Sequence, residues 1–323
     1  MKRLLFVTAT YIGDQVLTSG LLAAWAARHP EGRVTVAGGA AGLSLFAAAP
    51  GVERLIPIVK RGRIGHWLDL WRETAGSAWH SVIDVRGSAL AYLLWAGRRR
   101  VFRPDASAAH RTECLARLVD LPALPRPLLW TAPEDQAEAD TLVVTDRPLL
   151  VLGPTGNWQA KIWPAERFAE LARRLIAPGA KLAGARIVVL GAKGEEAMVA
   201  PLLTALPEAL DLVGRARLAV AAAILKRAGL FVGNDSGLLY MAVASGRPTL
   251  GLFGPTPGLF GPKSEGLLAP WAPNAAEART PESWLTLTSA SAIERGAMPS
   301  RMGTLTVDAV ERAALHLLER MSR

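Results

Sequence analysis

The sequence predicts two consecutive α/β domains, each built around a parallel sheet. Short apolar runs, typical of buried parallel strands, alternate with stretches of helical periodicity along the chain. The alternation is interrupted at Thr145-Asp146-Arg147-Pro148 and then restarts. The length of 323 residues, half of them hydrophobic, suits two cores of ordinary size. We therefore place one domain at 1–146 and a second at 147–323.

Four strands are predicted in the first half, at 3–7, 33–37, 54–59 and 81–85, and helical stretches lie between them. The first strand is followed by a predicted helix at 15–28, whose buried side carries Leu21, Leu22 and Trp25. Strands separated by helices favour parallel pairing with right-handed crossovers.

The second half repeats the pattern, with predicted strands at 149–153, 186–191, 211–213, 230–232 and 248–253. Helices are predicted from Pro164 onward and at 219–227, 238–244 and 304–321. The closing helix belongs to the second domain, and its packing back toward the first domain is left open. The two domains are expected to face each other across a cleft.

Composition excludes several classes of protein. Cys114 is the single cysteine, which rules out an internal disulfide and a cysteine-based metal site and fits a reducing, cytoplasmic setting. No apolar run approaches the ~20 residues of a membrane span, and the opening run is better interpreted as a strand than as a signal peptide. The sequence lacks a Walker A lysine pattern and a dinucleotide-binding glycine motif after the first strand. An NTPase or a nicotinamide-dependent oxidoreductase is therefore disfavoured.

The positive charge is concentrated in the first half. Residues 1–130 contain 17 Lys and Arg against 9 Asp and Glu, a net +8, whereas 131–323 contain 20 against 19, a net +1. A solvated basic surface is one interpretation. The other is an anionic partner, either an anionic lipid or a phosphorylated glycan, because no nucleic-acid motif accompanies the charge. The basic residues that form clusters are Arg61, Arg63, Arg98, Arg99, Arg100 and Arg103.

Candidate functional residues follow the strands, where parallel sheets usually bind ligands. Asp14 comes after the first strand and Gly13, and is either a carboxylate facing the cleft or the N-cap of the next helix. Lys161 ends a Gly/Thr/Asn loop and could neutralise a diphosphate, although a surface lysine is the alternative. Glu195 could accept hydrogen bonds from a ribose or simply favour a helix N-terminus. The Asp235-Ser236-Gly237 turn offers backbone N–H groups to an anion.

The order of motifs resembles glycosyltransferase family 9, the heptosyltransferases of lipopolysaccharide core synthesis. The resemblance rests on Asn234-Asp235-Ser236-Gly237, on Leu252-Phe253-Gly254-Pro255-Thr256, on Tyr11-Ile12-Gly13-Asp14 and on Lys161-Ile162-Trp163-Pro164. The chain departs from the family in having Tyr240 where a histidine is usual and Gly20 where a proline is usual. It also shortens the loop that follows Thr256.

The resemblance implies the GT-B architecture of two Rossmann-like domains, with a first domain that binds the acceptor and a second that binds the nucleotide sugar. It implies inverting transfer of heptose from ADP-heptose to an anionic inner-core glycan, with Asp14 as general base. Lys161 would contact the donor diphosphate. The donor positions that it implies are Thr155, Gly156, Asn157, Glu195, Asp235, Ser236, Gly237 and Tyr240, and the basic residues of the first half are assigned to the acceptor.

No cofactor is expected beyond the donor, and metal independence is predicted because no His, Cys and acid cluster or Asp-x-Asp element is present at these loops. The expected location is the cytoplasm, with peripheral contact at the inner face of the membrane. Two other functions stay open: a nucleotide-sugar hydrolase or epimerase, and a non-catalytic glycan- or lipid-binding protein.

Overall fold

The computed structural model describes residues 1–62, 64–103, 111–120, 125–254, 272–281 and 300–322. Contacts divide the chain into two compact units, Met1–Pro133 and Glu134–Arg323. This division comes before the boundary of 146/147 expected from the sequence, because a helix at 133–142 is tied to the second unit. Its carboxylates Asp135 and Glu138 pair with Arg217, and Asp140 pairs with Arg227.

The first unit contains a five-stranded parallel sheet in the order β3-β2-β1-β4-β5. Its strands are β1 Arg3–Val7, β2 Arg33–Gly38, β3 Val52–Pro57, β4 Trp79–Asp84 and β5 Ala96–Val101. Its helices are α1 Ile12–Arg28, α2 Ala40–Leu43, α3 Gly65–Thr74 and α4 Arg111–Leu118, with short 3-10 turns at Ser44–Phe46 and Leu90–Tyr92.

The side chains of β1 point alternately to the two faces of the sheet, and each face has its own apolar core. Leu4 and Phe6 pack into a core that includes side chains of α1, whereas Leu5 and Val7 pack into a core that includes Leu70 of α3. Strands buried on both faces are expected to be apolar throughout, as β1 is. Because β1 pairs with both β2 and β4, the loops that follow β1 and β4 begin side by side.

The second unit contains a six-stranded parallel sheet in the order β11-β10-β9-β6-β7-β8. Its strands are β6 Leu149–Gly153, β7 Arg186–Val189, β8 Leu210–Asp211, β9 Ala228–Asn234, β10 Thr249–Phe253 and β11 Ala275–Arg279. Its helices are α5 Pro133–Leu142, α6 Ala165–Ile176, α7 Glu196–Ala205, α8 Leu218–Leu225, α9 Gly237–Ala244 and α10 Val307–Met321, with 3-10 turns at Gln159–Lys161 and Met302–Thr304.

The closing helix α10 packs in the core of the second unit. Val310, Ala314 and Leu317 are fully buried there, together with side chains of α6 and β10. Thr306 caps the helix by accepting a hydrogen bond from the Ala309 N–H, at 3.3 Å. Its apolar face therefore packs against other elements of the second unit.

Candidate active site

The carboxyl ends of β6 and β9 lie side by side and form the floor of the donor site predicted in the second unit. Gly153 and Gly233 face each other in this pairing. A Cβ on Gly153 would lie 2.7 Å from the Phe231 ring, and one on Gly233 would lie 2.8 Å from the Gly153 oxygen. Glycine is therefore needed at both paired positions, because the Phe231 ring and the Gly153 oxygen leave no room for a side chain. The loops that follow, 154–164 and 235–236, are brought together here.

Asn234 joins these two loops. Its side chain is fully buried; Nδ2 donates to the Pro154 oxygen at 2.7 Å, and Oδ1 accepts from the Trp163 N–H at 3.1 Å. The two bonds hold both ends of the loop that carries Lys161. Asn234 was not predicted as a site residue from the sequence, although it belongs to the Asn234-Asp235-Ser236-Gly237 motif.

Lys161 and Asp235 form an ion pair within this arrangement. The distance between Lys161 Nζ and Asp235 Oδ2 is 2.5 Å, and the two side chains are 19% and 18% exposed. Lys161 is thus held at the sheet edge and is not an ordinary surface lysine. A diphosphate that reached this ammonium would meet an anion already beside it, so Asp235 is suited to orient Lys161 and to accept hydrogen bonds from sugar hydroxyls.

Ser236 supplies a hydroxyl next to the ion pair. It occupies the N-cap position of α9, yet within the described residues its side chain makes no capping bond, and its buried Oγ has no hydrogen-bond partner. The first N–H groups of α9, which begins at Gly237, have no partners within the helix. A ligand oxygen placed here would satisfy both the hydroxyl and the backbone donors.

Glu195 and Thr155 flank the loop after β7. Glu195 Oε2 accepts from the Ala192 N–H at 2.7 Å. A Cβ on Gly191 would lie 3.2 Å from Glu195 Oε2 and 3.3 Å from Thr155 Cγ2, so both side chains lie close to this glycine. Hydrogen bonds from the backbone N–H groups of Gly194 and Glu196 lower the pKa of the neighbouring Glu196 carboxyl. This loop therefore already donates N–H groups to carboxylates.

The other donor residues predicted from the sequence differ in exposure. Gly156 is buried and Asn157 is exposed in the loop after β6. Tyr240 is half-buried in the first turn of α9, three residues after the helix begins at Gly237. Thr256 and the shortened loop after it lie outside the described residues.

Asp14 lies in the first turn of α1. The helix begins at Ile12 with Tyr11 as its N-cap residue. The alternative that Asp14 is itself the N-cap is therefore wrong, because the helix starts earlier than the sequence predicted. Asp14 lines a cavity of about 460 Å³, whose other walls include Thr10, Arg86 and Gly87.

The turn after β4 forms the opposite wall of this cavity. The fully buried Asp84 carboxylate accepts from the Arg86 N–H at 2.8 Å, from the Ser88 N–H at 2.9 Å and from the Ser88 hydroxyl at 2.5 Å. Burial raises the pKa of Asp84, and these hydrogen bonds oppose the rise. Gly87 has φ of +68°, and a Cβ there would lie 2.7 Å from the Phe102 oxygen. The turn is thus fixed in one conformation.

Arg86 gives this cavity a fixed positive charge. Its guanidinium carbon lies 4.6 Å from the centre of the Trp67 ring, a cation–π arrangement. Burial lowers the pKa of Arg86 and the nearby Asp84 opposes this effect, but a guanidinium stays charged. Arg86 was not predicted as a site residue from the sequence, although its position directly after a buried strand was a usable signal.

The arginines assigned to the acceptor are held in different ways. Arg61 is exposed and lines a second cavity, of about 370 Å³, with His66 and Arg72. Arg99 donates to the carbonyl oxygens of Ala91 and Leu94 at 2.8 and 2.7 Å, so its guanidinium supports the fold. Arg100 is ion-paired with Asp120, and Arg98 is exposed on β5. Arg63 lies outside the described residues.

Metal-binding and membrane-spanning features were considered for the part of the chain that the structure describes. In that part of the chain, no group of three or more His, Cys, Asp or Glu side chains is arranged to hold a metal ion. Within the same residues, every helix is too short or too polar to cross a membrane.

Comparison with known proteins places the chain in a family. The sequence model of glycosyltransferase family 9 (heptosyltransferase) matches residues 85–288, more than half of the chain. The chain belongs to glycosyltransferase family 9. This family 9 protein is 26% identical over 302 residues to lipopolysaccharide heptosyltransferase 2 of Salmonella typhimurium, covering 80% of this chain and 85% of that protein.

Solved structures confirm the fold of this family 9 glycosyltransferase. A family 9 glycosyltransferase from Veillonella parvula superposes with a TM-score of 0.76 at 21% identity, covering 98% of this chain and 97% of that one. The E. coli ADP-heptose lipopolysaccharide heptosyltransferase II superposes with a TM-score of 0.74 at 20% identity, covering both chains completely. The prediction of two parallel-sheet α/β domains of the GT-B class is confirmed, and so is glycosyltransferase activity.

Replacing Asn234 by alanine is expected to damage the predicted donor site as well as the stability of the protein. The change leaves the Pro154 oxygen and the Trp163 N–H without their partner, at a cost of about 2–4 kcal/mol in the free energy of unfolding. Once the Lys161 loop is released, ADP affinity should fall roughly tenfold, the scale of one lost charge-assisted contact. Thermal melting and calorimetric titration with ADP measure the two effects.

Asn274 provides a matched control in the same unit. It is also a buried asparagine whose Nδ2 donates to two backbone oxygens, of Val243 at 3.0 Å and of Arg247 at 2.8 Å. Asn274→Ala should lower the melting temperature similarly while leaving ADP affinity unchanged. Equal loss of ADP affinity in both variants would contradict a specific role for Asn234.

Proposed function

We propose that this glycosyltransferase transfers heptose, with inversion, from ADP-heptose to an anionic inner-core glycan of lipopolysaccharide or a related lipid-linked acceptor. The observation that carries the proposal is the Lys161–Asp235 ion pair beside the buried Ser236 hydroxyl at the ends of β6 and β9. This arrangement suits a sugar diphosphate, because it combines a cation, a hydroxyl and a helix N-terminus for the phosphates with a carboxylate for the sugar hydroxyls.

The donor is assigned to the loops of the second unit. Lys161, Ser236 and the first N–H groups of α9 would bind the diphosphate, with Thr155, Gly156 and Asn157 nearby. Glu195 would accept hydrogen bonds from the ribose, and Tyr240 would offer its phenol O–H. The name of the E. coli neighbour supports ADP-heptose as the donor, because that protein is described as an ADP-heptose enzyme.

The acceptor is assigned to the cavity that contains Asp14 in the first unit. Arg86, stacked on Trp67, would bind an acidic group of the acceptor and hold the reacting hydroxyl near Asp14. Arg61, Arg63 and the arginines of β5 would attract the remaining anionic groups. A lipid-linked acceptor places the reaction at a membrane surface, and we propose peripheral contact at the cytoplasmic face.

The reaction is proposed as one displacement at the anomeric carbon. The Asp14 carboxylate takes the proton of the acceptor hydroxyl while that oxygen forms the new bond to carbon. The bond from this carbon to the diphosphate oxygen breaks with its electron pair, and ADP leaves. Lys161 and the donors of the α9 N-terminus stabilise the negative charge on the leaving oxygen. We propose that no metal ion is needed for this step.

The test is acceptor-dependent release of ADP by the purified protein. With ADP-heptose and a Kdo-bearing acceptor, one ADP should appear for each heptose added, and omission of the acceptor should reduce release at least roughly tenfold. Release that is independent of acceptor would indicate a hydrolase or epimerase. Binding of ADP-heptose without any release would indicate a non-catalytic protein. Thermal-shift titrations with ADP, UDP, GDP and CMP identify the nucleotide, because the preferred one stabilises the fold most.

A further inference from the structure

Large apolar side chains are exposed together on one side of the first unit. Trp95 is 81% exposed, Leu93 67% and Tyr92 56%, at the end of the 3-10 turn that precedes β5. Leu68 and Trp71 on α3 are 43% and 38% exposed. Trp71 Nε1 donates to the Leu93 oxygen at 3.3 Å, which joins the helix and the turn into one surface. We call these five residues the aromatic patch.

The patch is unusual for a surface that meets only water. In α3, Leu70 and Thr74 are buried against the sheet, so the opposite side of the helix should be polar. It instead carries Leu68 and Trp71, which are three residues apart and therefore lie on the same side. Contiguous exposed apolar surface of this kind commonly marks an interaction site.

The scaffold beneath the patch is firmly held. Arg99 ties the turn to β5 through its bonds to the Ala91 and Leu94 oxygens. Leu90, Ala91 and Leu94 are at most 3% exposed, so alternate residues of the turn anchor it in the core. Tyr92, Leu93 and Trp95 are thereby presented outward before any partner arrives, which lowers the entropic cost of binding.

Arginine side chains lie beside the patch. Arg103 Nη2 lies 3.4 Å from the Tyr92 hydroxyl, and Arg72 follows Trp71 on α3. Asp69 is the carboxylate that both Arg72 and Arg61 approach, at 3.4 and 3.8 Å. The whole region 1–130 has a net charge of +8. The patch therefore combines Trp and Tyr side chains with a basic rim.

We propose that the aromatic patch and its basic rim bind the headgroup region of an anionic lipid bilayer. Tryptophan and tyrosine favour the membrane–water interface, where the ring is apolar and the N–H or O–H stays hydrated. Arginine and lysine are attracted to anionic headgroups. Binding is peripheral, with apolar side chains entering the interface without spanning it. This inference rests on the proposed function, in which the acceptor is lipid-linked.

Vesicle co-sedimentation of the full-length protein tests the proposal. The vesicles contain phosphatidylcholine alone or with roughly 30 mol% phosphatidylglycerol, which sets the anionic surface charge. Wild-type protein should partition onto the anionic vesicles at least roughly tenfold more strongly than onto the neutral ones. The double substitution Leu93→Asp, Trp95→Asp should reduce that partitioning by about tenfold or more, because it removes apolar groups and opposes the anionic surface.

Val144→Asp is the matched control, since Val144 is 84% exposed in the second unit, away from the patch in sequence. It should bind vesicles as wild type does. Because the substituted side chains are exposed, both variants should melt at the same temperature as the wild type. Equal vesicle binding by the wild type and the double variant would overturn the proposal. So would loss of self-association in the double variant with vesicle binding intact, because the patch would then join copies of this chain.

Transfer assays separate this proposal from the proposed function. The double variant should glycosylate a deacylated, water-soluble acceptor at the wild-type rate. With the intact acceptor embedded in anionic vesicles, its turnover should fall by about tenfold, following its partitioning. Wild-type protein that binds anionic vesicles but transfers sugar to neither acceptor would contradict the proposed function and leave the membrane surface standing.

Discussion

Asp14→Asn is expected to slow heptose transfer by about 100-fold or more, the scale of a lost general base. The amide has nearly the size and shape of the carboxylate but cannot take the proton of the acceptor hydroxyl. Asp14 lines the first-unit cavity and belongs to the first turn of α1, so the substitution leaves the cavity walls in place. ADP affinity should stay at the wild-type value, because Asp14 is assigned to the acceptor.

The rate is best measured as product formed in a single turnover at saturating donor and acceptor. The substitution also removes a negative charge from a helix N-terminus, at a cost of about 0.3–1 kcal/mol in stability. Asp308→Asn controls for this effect, since Asp308 is the acid in the first turn of α10. The control should melt slightly lower and retain full turnover. Near-wild-type turnover in Asp14→Asn would limit Asp14 to a structural role in α1.

Much of the fold could be predicted from buried strands. The central strands β1, β6 and β9 are apolar runs, because both faces of each strand are covered. Such runs can be predicted as strands before the neighbouring strands are known. The edge strand β5 was missed, since it carries Arg98, Arg99 and Arg100 and four of its six residues are exposed. An edge strand is bonded on one side only, and charge there discourages further pairing. The run of arginines that prevented the prediction of β5 as a strand is the same run that suggested a basic surface.

β11 escaped prediction for a different reason. Its sequence, Ala275-Ala276-Glu277-Ala278-Arg279, is poor in the β-branched and aromatic residues that favour strands. It forms because β10, which pairs with β9 on one side, has backbone groups free to pair on its other side, and because Arg320 of α10 donates to the Ala275 oxygen at 2.8 Å. Tertiary contacts therefore outweigh local preference here.

The candidate site was partly predictable. Lys161 and Asp235 were selected separately, each from a loop that follows a strand. Their pairing could not be inferred, because it depends on β6 and β9 being neighbours although 74 residues separate the two side chains. Asn234 and Arg86 act through bonds to distant backbone atoms and through stacking on Trp67, which leave no periodic signal in the sequence.

Lys161→Ala is expected to weaken ADP binding by about 10- to 150-fold, the equivalent of roughly 1.5–3 kcal/mol for a charge-assisted contact. The ion pair adds a second effect that a sequence motif does not reveal. Without its partner, the 18% exposed carboxylate of Asp235 would repel the diphosphate directly. Transfer should slow further, because the charge on the departing phosphate loses its cation.

The double variant Lys161→Ala, Asp235→Ala separates these effects. It should bind ADP more tightly than Lys161→Ala alone, because the repelling carboxylate is gone, although less tightly than the wild type. The coupling energy from this cycle should be about 0.5–3 kcal/mol, as for residues in direct contact. Lys181→Ala removes one exposed lysine elsewhere in the second unit and controls for the change in net charge. Calorimetric titration with ADP gives the affinities of the wild type, Lys161→Ala, Asp235→Ala and the double variant, which the cycle requires, and of the Lys181→Ala control. Wild-type affinity in Lys161→Ala would place the diphosphate elsewhere, and equal affinities in the single and double variants would show that Asp235 does not face it.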